Sequence, residues 1–272
     1  MPSALDLRLD AAYNLITGPG GPIQVGTVER FGRDLPIITN APTNLADYAA
    51  FFAAQHGDAT FLVEGDERLS FAQVYGAARR VAAGLIDGHG VQRGDRVGIA
   101  MRNANAWCVT YLGVLLAGGC ATLLNGWWQG GELAAGIADS ETKLVIADVQ
   151  RAARLQDVDH DAKVVTLDLL KPIDEAVAPL TAGGSAETVL PTLTGDDLAT
   201  ILFTSGSTGQ PKAAMISYGN INAMIAGTQH FYQCTEADSM LSYLPLCHVA
   251  EQIFTVYLPL ASGATVNFAE SL

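Results

Sequence analysis

The stretch ILFTSGSTGQPKAAM, residues 201–215, passes from a short apolar run to small hydroxylated residues and glycines, and then to Pro211 and Lys212. The run ATILF, residues 199–203, is typical of a buried strand, and helical spacing begins near Ser217. The stretch therefore predicts a glycine-rich loop between a strand and a helix. Loops at the carboxyl ends of parallel strands are where α/β proteins bind their ligands.

The composition of this loop suits a polyphosphate. Gly206 and Gly209 let the backbone approach a ligand closely, and their neighbours' free N–H groups form a nest for anions. Lys212 adds a positive charge that follows a phosphate chain. Four hydroxyl side chains add further donors: Thr204, Ser205, Ser207 and Thr208. A plain surface loop rich in serine and glycine has the same composition, so both interpretations stay open at this point.

The spacing of the loop excludes two common nucleotide motifs. Its pattern is Gly206-x-x-Gly209-x-x-Lys212, whereas a P-loop NTPase has G-x-x-x-x-G-K-[ST] and a dinucleotide-binding turn has G-x-G-x-x-G. A phosphate site here would therefore belong to a different class of protein.

Outside the loop, short β-branched runs alternate with helical patterns. DRVGIAM (95–101), CATLL (120–124), KLVIAD (143–148) and KVVTLD (163–168) are strand-like, and helical segments such as Ala104–Ala117 lie between them. This alternation of strand-like and helical segments predicts an α/β fold with layered, mostly parallel sheets flanked by helices. We expect four regions: an irregular lead-in over 1–41, a first α/β subdomain over 42–170, a connector over 171–197 and a second α/β subdomain starting at 198.

The bulk composition narrows the possible partners. The chain has 272 residues and a net charge of −13, with 28 acidic and 15 basic residues and no basic stripe. Nucleic acid is therefore not an expected partner, and nothing in the sequence points to association with a membrane. The uncharged stretch between Arg102 and Glu132 is broken by glycines and predicts a buried helix followed by a buried strand.

The cysteines and the first residues predict a cytoplasmic protein. No two of the four cysteines have C-x-x-C spacing, which favours free thiols in a reducing compartment over zinc ligands or disulfides. The opening MPSALDLRLD has no apolar signal core.

The ten residues FTSGSTGQPK, 203–212, closely resemble the phosphate-loop signature of the adenylate-forming superfamily, which includes acyl-CoA synthetases. The signature usually continues with glycine where this chain has Ala213. LSYLPLCHVAEQ, 241–252, resembles the LPL-x-H segment of acyl-CoA synthetases, in which the histidine lies beside the acid. VNFAES, 266–271, and LLNGWWQGGEL, 123–133, are similar to the long-chain fatty-acid branch. Taken alone, His248 also fits a core histidine, and the Trp127-Trp128 pair also fits ordinary packing.

The resemblance implies a two-step reaction. A carboxylate attacks the α-phosphate of ATP to give an acyl-adenylate, and the thiol of coenzyme A then attacks the acyl carbon. The fold implied is the large N-terminal domain of these enzymes, and Mg²⁺ is the implied metal, with ligands that we do not find in this chain. His248 would orient the acyl carboxylate, and Lys212 would serve both binding and catalysis. The β- and γ-phosphates would lie against Thr204, Ser205, Gly206, Ser207, Thr208, Gly209 and Lys212.

The later motifs of the superfamily do not occur in this sequence. They are an adenine-binding segment, a Tyr-Gly-x-Thr-Glu motif, a ribose-binding aspartate and a C-terminal domain with an essential lysine. We therefore expect the chain to be the N-terminal part of a longer fatty-acid ligase, and to be inactive alone. Two alternatives stay open: adenylation of an aryl or amino acid, and a non-catalytic nucleotide-binding module of the same fold.

Overall fold

The computed structural model describes residues 2–21, 23–30, 32–39, 44–205 and 211–269. The chain forms two compact units, Met1–Pro42 and Thr43–Leu272. The strands are β1 (Val25–Arg30), β2 (Arg33–Ile38), β3 (Thr60–Glu64), β4 (Glu67–Ser70), β5 (Arg96–Ala100), β6 (Cys120–Leu123), β7 (Leu144–Asp148), β8 (Lys163–Leu167), β9 (Leu198–Ser205), β10 (Pro211–Ser217), β11 (Ser239–Ser242) and β12 (Thr265–Phe268). The helices are α1 (Ala4–Thr17), α2 (Leu45–His56), α3 (Phe71–Asp87), α4 (Asn105–Leu116), α5 (Gly130–Asp139), α6 (Val149–Gln156), α7 (Ile173–Ala176), α8 (Ala178–Thr181), α9 (Tyr218–Tyr232), α10 (Val249–Gln252) and α11 (Leu258–Ser262), with a π-helix, Ile253–Tyr257, joining the last two.

The first unit corrects the irregular lead-in that we expected over residues 1–41. Helix α1 begins with a capping box, in which Ser3 and Asp6 each accept a hydrogen bond from the other's backbone N–H. Strands β1 and β2 form an antiparallel hairpin. Gly18, Pro19, Gly20 and Gly21 lie in the connection between α1 and β1, which is why composition alone misled the prediction.

The larger unit contains a six-stranded sheet in the order β10-β9-β6-β5-β7-β8. Every pair in it is parallel except β9 and β10. Strands β6 and β7 are buried along their whole length, as expected of strands covered on both faces. The α/β fold with mostly parallel sheets and flanking helices is confirmed.

A second sheet has four strands in the order β11-β12-β3-β4, with β4 antiparallel to the other three. All twelve residues of α4 are buried, and the helix contacts β5 and β6 of the first sheet as well as β3 of the second. A helix that is apolar all round belongs in such a position. No helix in the described part of the chain is both long enough and apolar enough to cross a membrane.

In both sheets, a strand that precedes residues 171–197 in the chain hydrogen-bonds to a strand that follows them. In the first sheet β9 pairs with β6, and in the second β12 pairs with β3. Part of the expected connector is helical, since it contains α7 and α8. The expected division into subdomains stays a prediction, but the strands after residue 198 do not form a sheet of their own.

The four cysteines are free, as the sequence predicts. Cys108, Cys120 and Cys247 are buried, and Cys234 is half-buried. Burial raises the pKa of the Cys247 thiol to about 11, so at neutral pH it is protonated and uncharged.

Candidate nucleotide and acid site

The predicted phosphate loop connects β9 to β10, which are antiparallel neighbours. This corrects the expectation that the loop leads directly into a helix, because α9 begins only at Tyr218, after β10. β10 is an edge strand, and its first residue is Pro211, a position that tolerates proline because no ladder hydrogen bond is needed there. Gly206, Ser207, Thr208 and Gly209 lie outside the described residues.

The residues at the base of the loop are placed on facing strands. Thr204 is paired in register with Lys212, and its hydroxyl donates to the Lys212 carbonyl over 3.4 Å. Both side chains are exposed. No described carboxylate forms an ion pair with Lys212. Ser205 ends β9 opposite Pro211. The sequence therefore places a hydroxyl and an exposed positive charge side by side at the entrance to the loop.

Ala213, which stands where the superfamily usually has glycine, lies in β10 opposite Phe203. Among the described non-glycine residues, only Glu141 and Gln233 have positive φ. Alanine at this position is therefore not strained, and the departure from the signature has no backbone cost.

A cavity of about 200 Å³ lies where the carboxyl ends of both sheets meet. Met101 to Asn103 reach it from the end of β5, and Asn125 to Trp127 from the end of β6. The second sheet contributes Ser242 at the end of β11 and Ala269 after β12. Tyr243, Pro245, Leu246 and Cys247 form the rest of its wall. The segment that resembles LPL-x-H thus lines this cavity.

The floor of the cavity is held by a buried ion pair. Arg151 donates to Asp148 over 3.0 Å, and both side chains are less than 10% exposed. Asp148 also accepts the backbone N–H of Arg102 at 2.9 Å, and Arg151 donates to the Gly126 carbonyl at 2.8 Å. A Cβ on Gly126 would lie 3.1 Å from the Met101 carbonyl oxygen, so a larger residue would make a tight contact in this turn. The ends of β5, β6 and β7 are thereby fixed to one another.

His248 is the N-cap residue of α10, next to the cavity-lining Cys247. Its side chain is exposed and does not line the cavity. Its backbone is fixed on both sides, because its N–H donates to the Pro245 carbonyl at 3.0 Å and its carbonyl accepts from the Gln252 N–H at 3.2 Å. The role of His248 beside the acid stays a prediction.

The two tryptophans of residues 127–128 have different environments. Trp127 is 59% exposed and lines the cavity. Trp128 packs edge-on against Phe203 of β9, with ring centroids 5.1 Å apart. Trp128 is therefore a packing residue, whereas the side chain of Trp127 is available to a ligand.

A buried hydroxyl network, missed by sequence reasoning, connects the cavity wall to β9. Gln252 donates to the Leu246 carbonyl at 3.0 Å and accepts from the Tyr257 hydroxyl at 2.6 Å. Tyr257 bonds to Tyr111 at 2.7 Å, and Tyr111 bonds to Thr200 at 2.8 Å. Burial raises the pKa of Tyr111 to about 12, so its hydroxyl stays protonated at neutral pH. Tyr257 lies in the π-helix, a rare turn that often marks functional regions.

The described residues contain no group of three or more His, Cys, Asp or Glu side chains that could hold a metal ion.

The family model for AMP-binding enzymes matches residues 50–272. The chain belongs to this family, and its curated relatives include acyl-CoA ligases. It is 30% identical over 254 residues to a medium/long-chain-fatty-acid–CoA ligase, FadD6, of Mycobacterium tuberculosis, a match that covers 88% of this chain and 42% of the relative. It is 29% identical to the human long-chain-fatty-acid–CoA ligase ACSBG2, over 75% of this chain and 33% of the relative.

The relatives are not restricted to fatty-acid ligases. An isonitrile lipopeptide synthase of Streptomyces coeruleorubidus is 31% identical over 214 residues, covering 79% of this chain and 14% of that protein. The chain spans less than half of the length of each of these three relatives.

Solved structures agree with the fold. The ATP-bound MatB from Rhodopseudomonas palustris superposes with a TM-score of 0.71 at 28% identity, over 84% of this chain and 46% of that one. The inhibitor-bound N-terminal domain of FACL13 from Mycobacterium tuberculosis superposes with a TM-score of 0.75 at 23% identity, over 85% of this chain and 58% of that one. The latter likeness concerns the fold alone.

Proposed function

We propose that the intact protein activates a fatty acid with ATP, first to the acyl-adenylate and then to the acyl-CoA. The observation that carries the proposal is the string FTSGSTGQPK, which spans the end of β9 and the start of β10, in a chain of the AMP-binding family. The names of the fatty-acid ligases among its relatives support the choice of acid.

The loop holds the β- and γ-phosphates of ATP. Backbone N–H groups of a glycine-rich turn bind anions, and the hydroxyls of Thr204, Ser205, Ser207 and Thr208 add donors. Lys212 supplies the charge, and its pairing with Thr204 keeps both side chains at the base of the loop. His248 orients the acyl carboxylate, from a backbone that is anchored on both sides.

The reaction requires mainly that the carboxylate and the α-phosphate are aligned and that their negative charges are neutralised. One carboxylate oxygen attacks the α-phosphorus, and pyrophosphate leaves. The coenzyme A thiol then attacks the acyl carbon, and AMP leaves. Because two anions must meet in the first step, fixed N–H donors and Lys212 act by reducing their repulsion. Mg²⁺ would supply further positive charge when bound. The cytoplasmic location stays a prediction.

Two other functions are compatible with the fold. The first is adenylation of an aryl or amino acid, which the name of the lipopeptide synthase among the relatives keeps open. The second is a non-catalytic module that binds a nucleotide through the same loop. A panel of acids separates the first from the proposal, and acid-dependent turnover separates the second.

Fatty acids should be better substrates of the intact protein than aromatic or amino acids. The physical reason is the apolar surface of the cavity wall, which is formed by Trp127, Tyr243, Leu246 and Cys247. Arg102 and Arg151 are the only described lysine or arginine residues that line the cavity. The measurement is acid-dependent exchange of labelled pyrophosphate into ATP, with matched fatty, aromatic and amino acids. A preference for a benzoate or an amino acid would assign the protein to another branch of the family.

The phosphate loop should gain protection when ATP and Mg²⁺ bind. In the intact protein without nucleotide, the amides of residues 205–212, except Pro211, which has no N–H, should exchange rapidly with deuterium, because the loop has two glycines and few apolar residues. With ATP they should exchange slowly, since their N–H groups would donate to phosphate oxygens. Strong protection in both states would argue against a loop that closes on the nucleotide.

A further inference from the structure

Asn103, three residues beyond the end of β5, holds the segment that leads to His248. Its side-chain nitrogen donates to the Ser242 hydroxyl at 2.9 Å and to the Leu244 carbonyl at 2.7 Å. Its side-chain oxygen accepts the backbone N–H of Leu246 at 3.0 Å. One amide group thus makes three hydrogen bonds to residues 242–246, across the junction of the two sheets.

The surrounding hydrogen bonds fix the direction of this amide. The single hydroxyl hydrogen of Ser242 is donated to Glu251 at 2.6 Å, so Ser242 can only accept from Asn103. Glu251 is 3% exposed and also accepts from the Thr255 hydroxyl. Since Leu246 offers an N–H and Leu244 a carbonyl, the amide must present its oxygen to one and its nitrogen to the other. An aspartate, which has the same shape, cannot satisfy this pattern.

The segment is held rigidly at both of its sides. On the far side Gln252 donates to the Leu246 carbonyl, so both polar groups of the Leu246 backbone are bonded to side chains. On the near side, the residue before Asn103 donates its N–H to Asp148, which belongs to the buried ion pair with Arg151. Asn103 therefore transmits the position of the β5 end to the residues just before His248.

We propose that Asn103 is a positioning residue for the acid, acting through residues 242–247 to set the location of His248. The proposal rests on the proposed function, in which His248 orients the acyl carboxylate. ATP should be little affected, because its phosphates are assigned to the loop between β9 and β10, and the described residues at the base of that loop, Thr204 and Lys212, are not among the hydrogen-bond partners of Asn103.

The test compares Asn103→Asp with Asn220→Asp in the intact protein. Asn220 is an exposed residue in the first turn of α9, and its side-chain oxygen accepts from Ser217, which a carboxylate also does. Pyrophosphate exchange is measured against fatty acid and against ATP, and deuterium exchange is followed in a peptide containing Leu246. Asn103→Ala, which removes the bonds without adding charge, is the second variant.

Asn103→Asp should raise the KM for the acid about tenfold and leave the KM for ATP within about twofold, as expected for the loss of one or two net hydrogen bonds. The peptide containing Leu246 should exchange its amide hydrogens for deuterium faster than in the wild type. Asn103→Ala should change the acid KM and the deuterium exchange in the same direction. Asn220→Asp should match the wild type in every readout. An unchanged acid KM, or equal increases for acid and ATP with a lower melting temperature, would overturn the proposal. Absence of pyrophosphate exchange in the wild type would overturn the proposed function itself. Unaltered deuterium exchange at Leu246 in Asn103→Asp would separately refute the structural role of Asn103.

Discussion

Replacing Lys212 by alanine should lower acid-dependent pyrophosphate exchange by ~10²-fold, the scale seen when one preorganised group that stabilises a developing charge is removed. The Lys212 side chain is exposed at the base of the loop and forms no ion pair with a described carboxylate. Its removal should therefore take little from the core. The melting temperature of the variant should stay close to that of the wild type.

The control for this experiment is Lys143→Ala. Lys143 is also exposed, but it immediately precedes β7, which is separated from β9 by β6 and β5 in the sheet. The control variant should keep wild-type exchange, which excludes a general effect of removing one positive charge from a chain of net charge −13. Unchanged exchange in Lys212→Ala, or equal losses in both variants, would remove Lys212 from its assigned role.

Residues 1–272 produced on their own should not make acyl-CoA. In the proposed function the loop binds one end of ATP, but it cannot by itself fix the α-phosphate in line with an attacking carboxylate. We expect the rate to fall by more than ~10³-fold relative to the intact protein, because alignment and preorganised charge carry most of this chemistry. The measurement is thioester formation from a fatty acid, ATP, Mg²⁺ and coenzyme A.

The same residues should also tend to aggregate. β11 is an edge strand whose Leu241 is 62% exposed, and Tyr243 and Leu244 beside it are exposed as well. An apolar edge strand can pair with another chain. Size-exclusion chromatography should show early-eluting material. A monodisperse sample with steady thioester formation would show that residues 1–272 suffice, and the account of the mechanism would then be wrong.

The parallel strands could be predicted from local sequence, whereas the chemistry of the loop stays a prediction. Runs such as KLVIAD are apolar enough to be buried on both faces, and they became β-strands at the expected places. β10 was missed because KAAMIS contains two alanines and has no alternation of apolar and polar residues.

The positions of Asn103 and of the tyrosine network could not be predicted in this way. The three partners of Asn103 are 139, 141 and 143 residues further along the chain, and Tyr111 and Tyr257 are 146 residues apart. A single asparagine after a strand carries no signal of such distant partners. Only the approach of β11 to the end of β5, through the packing of the two sheets, brings them together.

The central claim, that the intact protein joins a carboxylic acid to the adenylate of ATP, is tested most directly by pyrophosphate exchange with and without acid. We expect label from pyrophosphate to enter ATP only when a fatty acid is present, because only then can the acyl-adenylate form and reverse. ATP binding without exchange for any carboxylic acid would contradict the account and would favour a non-catalytic nucleotide-binding module.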